Sequence, residues 1–474
     1  MAEEKTRAID KLTDAQRGEM DEMVNDYLDF QKESKTVWET GRETVRRLEA
    51  AGFRSIEDLG EEVKEGASYE ELVGQKVYIA SEDFRNVAGI VIGEEGLEQG
   101  MNLAYAHMDK PELHVKRAEG GIFDTDGDGV FLDTQYYGGI KKHQWFARPL
   151  ELRGEVSKDG KLHHFTIDLA TVPEKLPHLD KQSGQKVGDA FPGEKLDVFT
   201  GYFKEADFLA AVSDKAGIEI TKEDLVNSYL TVVPRGDPYR VGEALVGQHD
   251  DTICSYTQTE AITRIGTPKH TAIVIGFDKE EIGSNGKTGG QGAFFDYVVD
   301  KVTGVVKGAE VTEKLKAKEF GDVYKEEQFL RDAGAFKREV LYASKALSAD
   351  VNAAYNPIFP ENFDPRNSAH LGEGVTVTPY TGSGGKYSTS EAPIGATEEL
   401  GAINARNSIP YQPGLLGKVD GGGGGTIAKF IAQKGVDTID TGPALWSMHS
   451  PASEIAHVVD LYSCEQEIEA YLES

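Results

Sequence analysis

The chain has 474 residues, 39% of them hydrophobic, and 53 glycines. That size and balance suit a globular, loop-rich α/β protein of two domains and exclude a wholly disordered chain. With 51 basic and 81 acidic residues the formal net charge is −30, which argues against a nucleic-acid partner, since that needs clustered Lys and Arg, and against an anionic membrane surface. The same acidity could draw divalent cations to a local cluster. Two cysteines, Cys254 and Cys464, imply no disulfide framework. The start, Met1-Ala-Glu-Glu-Lys-Thr-Arg7, has no apolar signal core, and no apolar run approaches the roughly 20 residues that span a bilayer. A cytoplasmic chain is expected.

Taken in order, residues 10–52 read as two helices. Met20, Met23, Val24, Tyr27 and Leu28 fall at helical spacing, as do Trp38, Val45 and Leu48, and Gly52 supplies a stop. Strands are expected at 76–80, 87–92 and 103–107. Those at 150–156 and 161–169 flank Ser-Lys-Asp-Gly, a four-residue hairpin signal. The stretch from about 110 to 240 is richer in strand and turn signals than its surroundings and reads as an inserted, mostly β domain. Asp124-Thr-Asp126-Gly-Asp128-Gly129 looks like the front of a calcium loop, but Gln135 stands where the closing glutamate is needed and strand follows. A hairpin turn is expected there. Five glycines at 421–425 lack the Lys-Ser/Thr pair of a phosphate loop and read as a tight turn with close backbone approach.

The chemistry-bearing signals begin with Thr271-Ala-Ile-Val-Ile-Gly-Phe277, an apolar run that reads as a buried strand and ends in Asp278-Lys-Glu280-Glu281. Open α/β sheets place their active sites at such carboxyl ends, and adjacent side chains diverge. One glutamate can therefore ligate a metal while the other works on water; a solvated Glu-Glu pair is the plain alternative. His107-Met-Asp109 ends another apolar strand, where a carboxylate can hold an imidazole in its metal-binding tautomer. Asp250-Asp251 offers a carboxylate able to bridge two metals, with Asp251 orienting it through backbone contacts or acting as a helix N-cap. Asp350 and His449 are weak signals singly. Together the set offers nitrogen and oxygen donors without thiolate, which suits zinc, cobalt or manganese. Five ligands, one bridging, fit two metals, and a spare glutamate as general base completes a hydrolase.

In this order, His107-x-Asp109, Asp250-Asp251, Glu280-Glu281-Ile-Gly-Ser284, Asp350 and Ser447-Met-His449-Ser resemble the aspartyl aminopeptidase and vacuolar aminopeptidase I family of dinuclear metallopeptidases. Asp26-Tyr-Leu-Asp-Phe30, Arg47-Leu-Glu-Ala-Ala-Gly-Phe53, Tyr137-Gly-Gly-Ile140, Trp145-Phe-Ala-Arg-Pro-Leu150, Leu176-Pro-His178-Leu and the segment 421–427 extend the resemblance over nearly the whole chain. It implies a three-layer α/β, phosphorylase/hydrolase-like catalytic domain with a central mixed sheet, in two parts at 1–108 and 241–474. A mostly β dimerisation domain at 109–240 would interrupt it.

The resemblance further implies two divalent ions, with His107 and Asp350 on one, Glu281 and His449 on the other, and Asp250 bridging. Glu280 would be the general base and Asp109 the orienter of His107. Peptides would lose their N-terminal residue, and dimers would build a tetrahedral homododecamer in which His178 reaches a neighbouring subunit's site. Members that prefer acidic first residues carry a histidine where this chain has Asn356 and a lysine in the region of Gly374-Val-Thr-Val-Thr378. A buried acidic side chain needs a cationic partner. A neutral or apolar first residue is therefore expected, unless Lys386 points inward. A related deacylase, or an oligomeric scaffold without activity, remains the alternative.

Overall fold

The computed structural model describes residues 7–179, 185–316 and 324–474, with side chains outside 312–333. Residues 1–6, most of the segment read as lacking a signal core, lie outside it. The chain divides into two compact units. One comprises 1–109, 240–448 and 455–474; the other comprises 110–239 and the short return segment 449–454. That return segment carries His449 and was not anticipated from the sequence pattern.

The first unit is built on a nine-stranded mixed sheet. Its order is Arg54–Ser55, Lys76–Ala80, Val87–Val91, Thr271–Phe277, Met101–His107, Lys345–Ala349, Asp437–Gly442, Val375–Thr378 and Tyr411–Pro413. The four central strands, from Thr271–Phe277 to Asp437–Gly442, run parallel. In Thr271–Phe277 and Met101–His107 apolar side chains point to both faces, as parallel strands covered by helices require, whereas Asp437–Gly442 buries Thr438, Asp440 and Thr441. Ala104, Ala106, Ala272, Val274 and Leu347 join one core with the helices Asp14–Glu33, Thr252–Arg264 and Val458–Glu473. Leu103, Tyr105, Ile273, Ile275 and Ala346 join a second core, on the other side, with Phe294–Lys316. The strand period of two thus sorts one sequence into two layers of packing.

The expected amino-terminal helices are Asp14–Glu33 and Val37–Ala50. Each opens on a capping box, Thr13 with Gln16 and Thr36 with Glu39, in which side chain and backbone satisfy one another. Gly52, with φ of 87°, follows the second helix in the left-handed region that glycine tolerates. The 421–425 run makes the close approach its composition suggests: a Cβ on Gly423 would lie 1.9 Å from the Gly382 carbonyl oxygen.

The second unit holds a five-stranded antiparallel sheet in the order Lys161–Leu169, Leu150–Lys158, Ser228–Pro234, Glu112–Val115 and Thr134–Tyr137. A three-stranded sheet joins Val198–Phe199, Val130–Leu132 and Ile122–Asp124. Trp145, Leu152, Phe165, Phe208 and Val232 fill its core. One hairpin is tighter than expected. Lys158 pairs directly with Lys161, so the turn is Asp159-Gly160 alone. Both residues have positive φ, 52° and 73°, which matches the twist of the flanking strands. The 124–129 segment is a hairpin turn, with Asp124 paired to Val130. Among the described residues, no helix is long and apolar enough to cross a membrane.

Candidate metal centre

Three neighbouring parallel strands end together. Phe277 is in register with His107, and Ser348 with Tyr105. The chain leaves these strands at Asp278, Met108 and Asp350, at the carboxyl edge where α/β sheets gather their chemistry. Asp250 arrives from a different direction. It lies three residues beyond the strand Ala244–Gly247 and just ahead of the helix Thr252–Arg264, and its peptide bond to Asp251 is cis.

These elements bring His107, Asp250 and Asp350 together, each offering an atom within 4.8 Å of the others. His107 Nε2 is 3.2 Å from Asp250 Oδ1 and 3.9 Å from Asp350 Oδ1. The opposite ring nitrogen, Nδ1, donates to the Asp109 carbonyl oxygen at 3.0 Å, with Asp109 Oδ1 3.4 Å away. With Nδ1 so engaged, Nε2 faces the two aspartates, the orientation a metal-binding imidazole requires once its Nε2 proton is displaced. An oxygen of Glu281 also comes within 4.8 Å of one on Asp250.

Asp109 does more than face the imidazole. Its Oδ1 accepts from the Glu280 N–H at 3.0 Å and its Oδ2 from the Glu281 N–H at 3.2 Å. One buried carboxylate therefore touches the histidine loop and the diglutamate turn. Asp251 begins the helix without capping it; its Oδ2 accepts from the His107 N–H at 3.3 Å. Neither contact of Asp109 with the diglutamate turn nor the Asp278 latch was visible in sequence spacing. In that latch, Asp278 Oδ2 accepts from Thr288 Oγ1 at 2.7 Å and Lys279 Nζ at 2.6 Å. Asn86 Nδ2 ties down the Thr288 carbonyl at 2.7 Å. Ser255 Oγ similarly donates to the His107 carbonyl at 2.7 Å.

The electrostatics follow from crowding. Burial opposes a charged His107, but its hydrogen bonds to Asp109 and Asp250 and the charges of Asp251 and Asp350 outweigh it and raise its pKa well above the usual value. Burial raises the Asp350 carboxyl strongly; His107 opposes this, while Asp251, Glu280 and Asp250 add to it. Asp251 is raised by burial and by Asp250, against His107. Such a set favours any cation that can replace the imidazole proton. Its donors, one nitrogen and carboxylate oxygens with no thiolate, fit zinc at a catalytic site.

The remaining expected site residues stand as follows. Glu280 and Glu281 lie in a one-turn 3-10 helix, Glu280–Ile282, entered through Lys279 at a left-handed φ of 68°. His449 belongs to the second unit. There its Nδ1 faces the Gly139 carbonyl oxygen at 2.7 Å, and its N–H donates to Glu454 Oε1 at 2.6 Å. His178 is exposed in the same unit. Lys386 pairs with Glu391 and lies 4.0 Å from the Tyr380 ring centre, so its ammonium is already engaged.

A cluster of candidate metal ligands at the end of a three-layer α/β sheet points to a class, the metal-dependent hydrolases. The family model for aminopeptidase I zinc metalloproteases (M18) matches residues 30–471. The chain belongs to that family of aminopeptidases. A probable M18 family aminopeptidase 1 of Thermotoga maritima is 35% identical over 464 residues, covering 94% of each chain. The crystal structure of an M18 family aminopeptidase from Thermotoga maritima superposes with a TM-score of 0.85 at 32% identity, covering 99% of each chain. The structure of an S. cerevisiae mApe1 dodecamer shares the fold, with a TM-score of 0.70 at 19% identity over 96% of this chain and 97% of that one.

Proposed function

We propose that this metallo-aminopeptidase works with two divalent ions, zinc by preference, and Glu280 as general base. His107 and Asp350 would hold one ion, Glu281 and His449 the other, and Asp250 would bridge them. Bound there, the ions would supply a water of lowered pKa and polarise the scissile carbonyl. Glu280 takes the proton of the attacking water and returns it to the leaving amine, while the Asp109 carboxylate holds the turn that carries it. The observation that carries this reading is the double contact of Asp109, which ties the backbone of Glu280 and Glu281 to the loop of His107.

The engagement of Lys386 by Glu391 supports a neutral or apolar first residue, since that ammonium already has a carboxylate partner within the chain. The β-rich unit would mediate dimers that build a dodecamer like that of the mApe1 relative, with His178 reaching across subunits. The test is Glu280→Gln, assayed on X-Ala-Ala peptides with metal content measured in parallel. Hydrolysis should fall by about 10²–10⁴-fold with both ions retained. A variant that keeps most of its activity removes Glu280 as the base. A wild-type protein that holds two ions yet cleaves no peptide points to a deacylase or a scaffold.

A further inference from the structure

Asp250 stands outside the central sheet, and the segment that leads to it is held by the amino-terminal helix Asp14–Glu33. Tyr27 and Gln31, one turn apart on that helix, reach residues 247–249. The Tyr27 hydroxyl oxygen lies 2.7 Å from His249 Nδ1. Gln31 Nε2 lies 3.2 Å from the same nitrogen and donates to the Gln248 carbonyl oxygen at 2.5 Å. The approach is close: a Cβ on Gly247 would lie 2.0 Å from Gln31 Oε1.

The far end of this network fixes the direction of its hydrogen bonds. His249 Nε2 faces the Leu245 carbonyl oxygen at 3.1 Å, which can only accept, so the ring proton sits on Nε2. Burial keeps the imidazole neutral, so Nδ1 accepts and the Tyr27 hydroxyl donates to it. The hydroxyl oxygen in turn accepts from Gln31 Nε2 at 2.9 Å. The His249 carbonyl accepts from the Ile253 N–H at 2.9 Å. Ring and backbone of the residue before Asp250 are thus both fixed, and neither ring nitrogen is left to ligate a metal. Tyr27 and His249 are fully buried, in a core that also holds Met23, Val24, Phe30 and Tyr256. Gln31 Oε1 is buried without a hydrogen-bond partner among the described residues. A polar network with an orphaned acceptor costs stability that an apolar filling would not; what it provides is a single orientation.

We infer that Tyr27 and Gln31 are positioning residues for the metal centre: through the His249 ring and the Gln248 carbonyl, the amino-terminal helix sets the place of the Asp250 carboxylate as a metal ligand. That Asp250 bridges two ions rests on the function proposed above, whereas its positioning by this helix does not. The central sheet carries His107, whose Nε2 is 3.2 Å from Asp250 Oδ1. A shift at His249 moves one ligand against another that the sheet keeps in place, and a bound cation senses that mismatch.

The experiment is a zinc titration of the chelator-stripped protein in competition with a chromophoric chelator. Tyr27→Phe keeps the ring and deletes the donor to His249 Nδ1. It should weaken zinc binding by about tenfold or more, the range for groups that orient metal ligands. Tyr256→Phe is the control. Its hydroxyl donates to Asp26 Oδ2 at 2.9 Å within the same core, and its ring lies 5.2 Å from that of Tyr27, but it makes no hydrogen bond to His249. That variant should lose stability to urea and keep the zinc affinity of the wild type. Gln31→Met, which loses the bond to Gln248, carries the test if Tyr27→Phe does not fold, and should weaken zinc in the same direction. Unchanged zinc affinity in the folded variant, or an equal loss in Tyr256→Phe, would reduce the network to a fold contact and overturn the inference. A wild type that takes up one zinc per chain, more weakly in Tyr27→Phe, removes the two-ion reading and leaves the positioning standing. A wild type that takes up two, with no change in Tyr27→Phe, does the reverse.

Discussion

The first unit buries two clusters of carboxylates, and they have opposite characters. In one, Asp26, Glu43 and Glu260 surround Arg47, whose guanidinium lies 2.6, 2.9 and 2.8 Å from them respectively. Burial alone would raise Asp26 and Glu43, yet Arg47 with Tyr256 holds Asp26, and Arg46 with Arg47 holds Glu43, below their usual values. In the other, an imidazole, His107, faces Asp250, Asp251 and Asp350, and burial with mutual repulsion pushes Asp251 and Asp350 up against it. Acidic residues packed around a resident cation are a finished structural unit. The same residues without one are a receptor for a cation that must come from outside.

The comparison can be broken in four ways. The largest effect should come from chelation. Stripping the metals should abolish peptide hydrolysis, by at least about 10³-fold, and lower Tm; zinc, cobalt or manganese should restore both. If the chelated protein retains full activity, the two clusters do not differ as argued. Next, Arg47→Met should destabilise the fold by about 3 kcal/mol, because it removes three ion pairs from a largely buried cluster in which only Arg46 and Arg264 still face Glu43 and Glu260. Metal content and activity per folded molecule should hold, as urea unfolding and metal analysis would show.

A third group refines the contrast. Glu467 is buried with Thr441 and Asn404 as its hydrogen-bond partners and, among the described residues, no ion-pair partner, and burial raises its pKa to about 7. The folded state therefore binds a proton that the unfolded state releases near pH 4.5. The resulting stability is fully present below the unfolded value and is lost as pH rises through about 7. Glu467→Gln should remove a slope of ~2–3 kcal/mol across that window, readable as a flatter plot of unfolding free energy against pH. The smallest effect belongs to Lys386→Ala. Its exposed pair with Glu391 should contribute within about 0.5 kcal/mol of stability, and cleavage of neutral first residues should change less than about threefold. A large loss of activity would place Lys386 in the substrate pocket.

Much of this was legible in the residues. Thr271–Phe277 declared itself because a buried parallel strand must be apolar on both faces, and the diglutamate at its end gained meaning from that position. The two amino-terminal helices were readable from periodicity and the Gly52 stop. What spacing could not show was which distant groups meet. Arg47 and Glu260 are 213 residues apart, and their pairing depends on helix packing. Asp251 could be an N-cap by sequence rule, yet the fold turns its carboxylate to the His107 N–H. Asp109 looked like a partner for one histidine; its two contacts with the diglutamate turn exist only once neighbouring strands are in register. The tight turn at Asp159-Gly160 was read two residues too long because Lys158 and Lys161 themselves pair.

The central strand Met101–His107 has a consequence for synthesis. Its sheet neighbours, Thr271–Phe277 and Lys345–Ala349, emerge from the ribosome long after it does. From His107 to Asp350 is 350 − 107 = 243 residues, or about 12–50 s at ordinary elongation rates. The intervening β-rich stretch can begin to order itself during that wait, but the three donors cannot meet. A nascent chain is thus kept from becoming a protease beside other nascent chains.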